Sequence, residues 1–446
     1  MKKSLLILMS IVMVAMLAAC GSDKKSDNNN TSTDTSNGTD TQTEQKTDDT
    51  AKTGAPVTIR MFQFKVEIAE ALDKLKAEYE KSHPNVKLEI ETVGGGADYG
   101  AALKAKFASG EEPDIFNNGG FNEMETWLNR LEDLSDQPWV ADALDVAKVP
   151  MTKDGKIYGM PMNIEGYGFV YNKDLFAKAG ITTLPKTYTE LADAAKKLKD
   201  AGITPFANGY QEWWILGIHN FNVAVANQDD PKAFVEAMNA GTGTLVGNKT
   251  FENWTKLLDL TLQYSNDNPL TTDYNTQVTM FASGQAAMMQ QGNWTQVQID
   301  GVNPDLNLGV LPMPISDDAA ANDNLYVGVP NNWVVNKNSK VKAEAKEFLN
   351  WMATSDIGKK YMVEEFKFIP AFKSVEVSDP AILGDIANDV IAYSKEGKTK
   401  SWNWFMYPEG VTQELGSAMQ AYIAKKLDQK GLFEQVDKSW KDLAKK

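Results

Sequence analysis

The stretch VTIRMFQFKVEIAEALDKLKAEYEKSHPNVKLEIET, residues 57–92, decides the fold. At both of its ends apolar residues alternate with polar ones, and this period of two predicts a strand at each end. Between the strands, apolar residues recur at helical spacing. A strand, a helix and a strand within about 35 residues form a βαβ unit, which predicts a parallel sheet with helices on its faces. The apolar positions are Val57, Ile59 and Met61, then Ile68, Leu72, Leu75 and Tyr79, then Val86, Leu88 and Ile90.

Two later segments carry helix signals. Thr187 and Glu190 have the spacing of a capping box, and Gly202 is placed to end the helix that follows. Residues 341–352 repeat the amphipathic pattern, with apolar side chains every three or four positions. About 390 residues follow the N-terminal region, enough for two or so domains. The sequence therefore predicts an α/β protein of two lobes.

The N-terminal region is typical of export. Lys2 and Lys3 precede an apolar run, and small residues lead to Cys20, the only cysteine. We predict a signal peptide over residues 1–19, since its apolar run is shorter than the ~20 residues of a spanning helix. Leu-Ala-Ala-Cys resembles a bacterial lipobox, which implies that Cys20 carries lipid; a lone cysteine after a signal is the alternative. The polar residues after Cys20, to residue 56, predict a disordered linker.

Charge and motif content exclude several classes of function. The net charge is −15, and removal of Lys2 and Lys3 with the signal would make it −17. Such an acidic chain does not suit nucleic acid. His83 and His219 lie far apart and lack ligand spacing, so each is interpreted as a surface or core residue. We expect neither a metal nor a cofactor.

Tryptophan is abundant and often lies in polar surroundings. The chain has eleven tryptophans, and several occur in the segments GYQEWW, GNWTQ, PNNWVV and SWNWF. A pyranose ring stacks on an aromatic face while its hydroxyls need amide and carboxylate groups, so these segments indicate a carbohydrate site. A core position remains the alternative for each of them.

Four further segments resemble the extracellular solute-binding proteins of family 1, which serve ABC-type sugar importers. Within that family, the segments are similar to those of maltose- and multiple-sugar-binding proteins. They are ASGEEPDIF (108–116), DGKIYGMPMNIEGYGFVYNKDLFAKAGI (154–181), FASGQAAMMQQGNW (281–294) and WVVNKNSKVKAEAKEFLNWM (333–352). The resemblance implies two lobes, each a mixed sheet flanked by helices, with the ligand between them. It places the crossovers near Glu165, Tyr326 and Pro370. The implied first lobe is 57–165 plus 327–370, and the second is 166–326 plus 371–446.

The same resemblance implies a set of ligand-binding residues. The segment NNGGFNEME departs from maltose-binding protein, which disfavours maltose but not carbohydrate as a class. If QEWW is helical, neighbouring side chains point about 100° apart, so we expect Trp214 rather than Trp213 to meet the sugar. The implied residues are Phe64, Lys65, Asn117, Asn118, Glu165, Tyr167, Gln211, Glu212, Trp213, Trp214, Asn293, Trp294, Trp333, Trp402 and Trp404.

The function implied is capture of a sugar between the lobes and its delivery to a membrane permease. A sugar that contacts both lobes favours the closed form. We expect a monomer that is anchored by lipid on the outer face of a bacterial membrane. A sensor for a signalling partner is one alternative. A secreted carbohydrate-active enzyme using Glu165 or Glu212 is another.

Overall fold

The computed structural model describes residues 55–445. The predicted signal peptide, Cys20 and the linker up to residue 54 lie outside this range. Within the described range, no helix combines the length and the apolar character needed to cross a membrane.

Thirteen strands and seventeen α-helices make up the described residues. The strands are β1 (Val57–Gln63), β2 (Val86–Thr92), β3 (Ile115–Asn118), β4 (Thr152–Lys153), β5 (Lys156–Ile157), β6 (Met160–Pro161), β7 (Glu165–Asn172), β8 (Thr204–Ala207), β9 (Ala286–Gly292), β10 (Leu308–Leu311), β11 (Leu325–Gly328), β12 (Asn332–Val335) and β13 (Thr399–Ser401). The helices are α1 (Ala69–Ser82), α2 (Tyr99–Ser109), α3 (Phe121–Trp127), α4 (Asp145–Lys148), α5 (Lys173–Lys178), α6 (Tyr188–Asp200), α7 (Phe221–Ala226), α8 (Pro231–Asn239), α9 (Lys249–Gln263), α10 (Tyr274–Ala282), α11 (Gln296–Val302), α12 (Ala319–Asn322), α13 (Lys342–Thr354), α14 (Asp356–Lys360), α15 (Asp385–Lys395), α16 (Val411–Ile423) and α17 (Gln429–Leu443).

The first lobe is built on the predicted βαβ unit, which is confirmed. Strand β1 runs parallel to β2 and to β3, and α1 connects β1 to β2. The sheet continues through β12 to β6 in the order β2-β1-β3-β12-β6, with β12 antiparallel to both of its neighbours. Ile59, Leu72 and Leu88 are fully buried. Each such side chain contributes about 1.5–3 kcal/mol of transfer free energy, so the apolar faces hold the helix on the sheet.

The second lobe is a mixed sheet centred on β7. Strand β9 pairs antiparallel along one edge of β7, while β10 and β11 share the other edge. Strands β8 and β13 add in parallel to β9 and β11. All eight residues of β7 are buried, as expected for a central strand covered on both faces. This fold agrees with the predicted two-lobed α/β class.

The strands show where the chain passes from one sheet to the other. The first passage lies between β6 and β7, at the predicted Glu165. The second falls after β11, because Tyr326 and the two residues after it still pair with β7. The third falls after Ser374, a few residues beyond Pro370, since Ser374 still bonds Asp142 of the first lobe. The lobe limits themselves stay a prediction.

The predicted capping box on α6 is present in full. The Thr187 hydroxyl accepts a hydrogen bond from the Glu190 backbone NH at 3.2 Å. The Glu190 carboxylate in turn accepts from the Thr187 backbone NH at 3.1 Å. These bonds satisfy donors that a helix N-terminus leaves unpaired, which explains why α6 begins here.

Replacing the capping threonine should therefore weaken the second lobe. We expect Thr187→Ala to lower the free energy of unfolding by about 0.5–2 kcal/mol, because the first turn of α6 loses a side-chain acceptor. Urea unfolding followed by circular dichroism measures the change. Thr183→Ala, at an exposed position in the preceding loop, is the matched control and should stay within about 0.5 kcal/mol of the parent. Equal effects for the two variants would contradict the capping role.

Candidate ligand-binding cleft

Six rings of the second lobe meet near the Glu165 end of β7, and we call them the aromatic cluster. His219 lies at the centre, with its ring centroid 4.7 Å from Tyr167 and 4.9 Å from Trp294. Trp214 and Trp404 each lie 5.4 Å from it. Trp402 stacks on Trp404 at 4.6 Å. Four parts of the second lobe therefore converge on one surface: strand β7, the segment before α7, the end of β9 and the segment after β13. Its members are Tyr167, Trp214, His219, Trp294, Trp402 and Trp404.

A π-helical turn brings two of these rings together. Ile215–Asn220 forms a π-helix that directly precedes α7. Hydrogen bonds in such a turn run from residue i to i+5, so residues five apart come close, and these turns are frequent at functional sites. Trp214 and His219 are five apart and meet edge to face. In an α-helix the same two side chains would point about 140° apart. The sequence analysis missed His219 for this reason.

Desolvation among the surrounding rings keeps the half-buried central histidine uncharged. Desolvation, with a smaller contribution from the positive charge of Lys65, lowers the pKa of His219 to about 3. The backbone carbonyl of His219 accepts a hydrogen bond from the Tyr167 hydroxyl at 2.8 Å, which fixes the two stacked rings. His219 therefore takes part in the cluster as a neutral aromatic ring at physiological pH.

A buried ion pair joins the first lobe to the start of β7. The Lys65 ammonium donates to Glu67 at 2.5 Å and to Glu165 at 2.6 Å. The side chains of Lys65 and Glu165 are only 2% and 5% exposed. Burial alone would lower the pKa of Lys65, but attraction by Glu165 and Glu67 outweighs it and raises the pKa above its ordinary value. Lys65 therefore stays charged, and its charge is shared by two carboxylates.

Glu212 reaches from the second lobe to a glycine loop of the first. Its side chain accepts a hydrogen bond from the Tyr274 backbone NH at 3.3 Å, and burial raises its pKa. A Cβ on Gly96 would lie 2.3 Å from the Glu212 carboxylate, and Gly96 has a φ of +104°. Only glycine combines that backbone angle with so close an approach. Glu212 is therefore a second-lobe carboxylate that lies against first-lobe backbone.

The two tryptophans of QEWW occupy different places, as the sequence predicts for a helical segment. Trp214 belongs to the aromatic cluster and also meets the Tyr274 ring at 5.4 Å. Trp213 lies against Gly416 of α16. Gln211 is exposed, and its backbone carbonyl accepts from the Gln420 amide at 2.9 Å. Trp214 thus lies in the aromatic cluster and Glu212 lies against Gly96, and which of these residues contacts a sugar stays a prediction.

Several implied binding residues use their polar groups within the protein. The Asn117 carbonyl accepts from the Phe64 backbone NH at 3.1 Å, and the Asn118 carbonyl accepts from Gly120 at 2.8 Å. Asn293 likewise accepts from the backbone of Gly166 at 2.8 Å. These amides shape the loops that surround the cleft. Their role in contacting a ligand stays a prediction.

Trp333 lies apart from the aromatic cluster. It is fully buried on β12 and pairs in register with Asn117 and Met160. Its core position explains the apolar end of PNNWVV, in which Asn331 precedes the strand and Asn332 is the first residue of the strand. The structure therefore supports the core interpretation of Trp333, which the sequence left open.

The two lobes also contact each other directly through a segment of which the sequence analysis named only Trp404. We call Trp404–Gln413 of the second lobe the bridging segment. Its Met406 carbonyl accepts from Asn122 at 2.7 Å, and its Gln413 donates to Asp98 at 2.6 Å. Glu409 forms an ion pair with Lys104, and Phe405 lies against Gly119. All four first-lobe partners lie on α2 and α3 or next to them, so the lobes are closed along this side.

The comparisons with known proteins agree with this architecture. Residues 65–359 match the family described as bacterial extracellular solute-binding protein. The chain belongs to this family. The family consists of binding receptors, so the expectation of a binding protein rather than an enzyme is confirmed. Among residues 55–445, no group of three histidine, cysteine or acidic side chains is placed to hold a metal.

Individual relatives point in the same direction. An uncharacterized ABC transporter extracellular-binding protein of Pyrococcus horikoshii is 29% identical over 55% of this chain, and the match spans 57% of the relative. A melibiose/raffinose/stachyose-binding protein of Bacillus subtilis is 23% identical over 83% of this chain and 85% of the relative. A solved solute-binding protein in complex with raffinose has a TM-score of 0.75 at 21% identity, covering 87% of this chain and 99% of that one. This structural likeness shows a shared two-lobed fold.

The low pKa of His219 gives a test of the cluster by nuclear magnetic resonance. Between pH 8 and pH 5 we expect its ring signals not to titrate, whereas an unperturbed histidine with a pKa of about 6.5 would become charged. His219→Gln assigns the signals by removing them. Because the unfolded chain takes up this proton near its ordinary pKa, stability is lost as pH falls from there toward pH 3. A titration midpoint above pH 5.5 would contradict burial of the ring.

Proposed function

We propose that the protein is an extracellular receptor that captures an oligosaccharide between its lobes and delivers it to an ABC permease. The observation that carries the proposal is the aromatic cluster beside buried carboxylates where the two lobes meet. Ring faces stack on the apolar faces of sugars, and carboxylates accept hydrogen bonds from hydroxyls. Both kinds of group are needed to bind a molecule that is apolar on its ring faces and polar around its edge.

The extent of the cluster favours several sugar units over one. The rings of Trp214, Trp294 and Trp404 each lie within 5.4 Å of His219, so three indole rings are gathered in one place and could serve more than one sugar unit. The Bacillus subtilis relative, by its name, binds melibiose, raffinose and stachyose. These galactose-containing oligosaccharides are therefore the first candidates for this chain.

Closure supplies the coupling to transport. A ligand that contacts Glu212 of the second lobe and also Lys65 or Glu67 of the first lobe binds the closed form more tightly than the open form. Such a ligand shifts the population toward the closed form. The bridging segment contributes contacts that form only when the lobes meet. A dissociation constant near 1 μM, about −8 kcal/mol, would hold the sugar and still allow its release to a permease.

A panel of ligands tests the proposal directly. We expect at least one of raffinose, stachyose, melibiose and maltotriose to raise the melting temperature of the purified protein and to change its tryptophan fluorescence. Isothermal titration then gives the affinity. Amino acids and short peptides are the control ligands. Stabilisation by these controls, with no response to any sugar, would contradict the proposal.

The neighbouring tryptophans provide a matched pair of variants. We expect Trp214→Ala to weaken binding of the panel sugar at least about tenfold, or ~1.4 kcal/mol, because a stacking ring is lost. Trp213→Ala, one residue away and against α16, should keep the affinity within about threefold. Both variants should unfold cooperatively. Equal losses of affinity, or a Trp214→Ala protein that does not fold, would contradict the assignment of Trp214 to the site.

We also propose attachment to the outer face of the bacterial membrane through lipid on Cys20. The apolar run, the small residues before the cysteine and the polar linker after it support this, together with membership of an extracellular family. In a bacterial host, Cys20→Ala should release the protein from the membrane fraction, whereas Ser22→Ala should not. Retention of the Cys20→Ala protein in washed membranes would contradict the lipid anchor. We propose that the anchored receptor is a monomer.

A further inference from the structure

The Lys65 ammonium beside the aromatic cluster already pairs with two carboxylates. Its partner Glu165 begins β7, two residues before Tyr167 of the cluster. Two of the three N–H groups of the ammonium donate to Glu67 and Glu165 at 2.5 and 2.6 Å. A carboxylate on a ligand would have to displace one of these carboxylates or become the third carboxylate around one ammonium group.

Acidic groups outnumber this lysine around the cluster. Glu165 lies on β7 two residues before Tyr167 of the cluster, and Glu67 is linked to Glu165 through the Lys65 ammonium that both carboxylates bind. Glu212 adds a third buried carboxyl group, held by a backbone NH. His219 contributes no positive charge at neutral pH. The surroundings of the cluster thus combine three carboxyl groups with one lysine.

Two other lysines approach the cleft and have partners. Lys104 pairs with Glu409 of the bridging segment. Lys400 donates to the Asn227 carbonyl at 2.6 Å, and the Asn227 amide donates to the Tyr326 hydroxyl at 2.9 Å. Lys400 is half-buried and its contact is neutral, so it is the alternative anchor for an anionic sugar and has to be tested.

We infer that the cleft accepts an uncharged oligosaccharide and rejects one that carries a carboxylate, with Glu67 as the residue that enforces this selection. The inference rests on the proposed function. A ligand carboxylate would lose its hydration on entering the closed cleft and would meet an excess of like charge at low effective dielectric. Specificity of this kind arises from repulsion of the wrong ligand as much as from attraction of the right one.

Three forms of one sugar separate charge from shape. The panel sugar that binds is compared with the derivative in which one C6 hydroxymethyl group is a carboxylate, and with the corresponding C6 amide. The carboxylate and the amide have nearly the same shape but differ in charge. At pH 7 and low salt we expect the carboxylate to bind at least about 100-fold more weakly than the amide. Binding of the two within about threefold would overturn the inference, while the proposed function would stand.

Variants of the charged groups test the role of Glu67. Glu67→Gln keeps the size and a carbonyl acceptor for Lys65 but frees part of its positive charge. We expect the carboxylate-to-amide ratio to fall at least about tenfold in this variant, with cooperative unfolding retained. Lys400→Gln should leave the ratio unchanged. An unchanged ratio in Glu67→Gln, or a carboxylated sugar whose binding depends on Lys400, would overturn the assignment. If no sugar form binds, the proposed function fails, which is a distinct result.

Discussion

The ammonium group of Lys65 lies between Glu67 and Glu165 with almost no exposure to solvent. Removing one lysine and two carboxylates from water carries a desolvation penalty of several kcal/mol per ion, which only close pairing offsets. That requirement fixes the end of β1 in the first lobe relative to the first residue of β7 in the second. The aromatic cluster is built on β7 and lies beside this pair, so its position relative to the first lobe depends on the same interaction.

The cluster itself depends on backbone geometry more than on any one side chain. The π-turn before α7 supplies two rings, the end of β9 supplies one, and the segment after β13 supplies two. These segments are distant in sequence and meet because their strands lie in one sheet around β7. The aromatic cluster therefore requires the whole second lobe to be folded. The ion pair of Lys65 with Glu165 then fixes the position of the cluster relative to the first lobe.

How much of this could be predicted from the sequence depended on how local each signal is. The βαβ unit and the capping box at Thr187 rest on contacts within a few turns of chain, and both were predicted correctly. Polar surroundings identified Trp214 and Trp294 as candidates. The same rule selected Trp333, which is buried because β12 inserts between β3 and β6. A strand that begins at an asparagine and a loop that lines a cleft can have the same local composition.

Other residues carried no local signal at all. His219 joins the cluster only because one turn has an extra residue, and sequence periodicity assumes a regular helix. Lys65 and Glu165 are 100 residues apart, so their pairing depends on how the two sheets meet. Phe405 and Met406 touch the first lobe only in the folded chain. For long-range contacts of this kind, the sequence resemblance implied which region is involved but not the role of each residue.

The bridging segment gathers the direct contacts between α2, α3 and the second lobe into ten consecutive residues. Phe405 packs against the Trp404 ring, but residues 406–413 contain none of the six rings, so changes among residues 406–413 alter the equilibrium between open and closed forms for every ligand alike. Strength of capture and choice of cargo are therefore separable properties. Exchanging residues 406–413 between receptors would give a way to adjust the working concentration range of a sugar biosensor while keeping its selectivity.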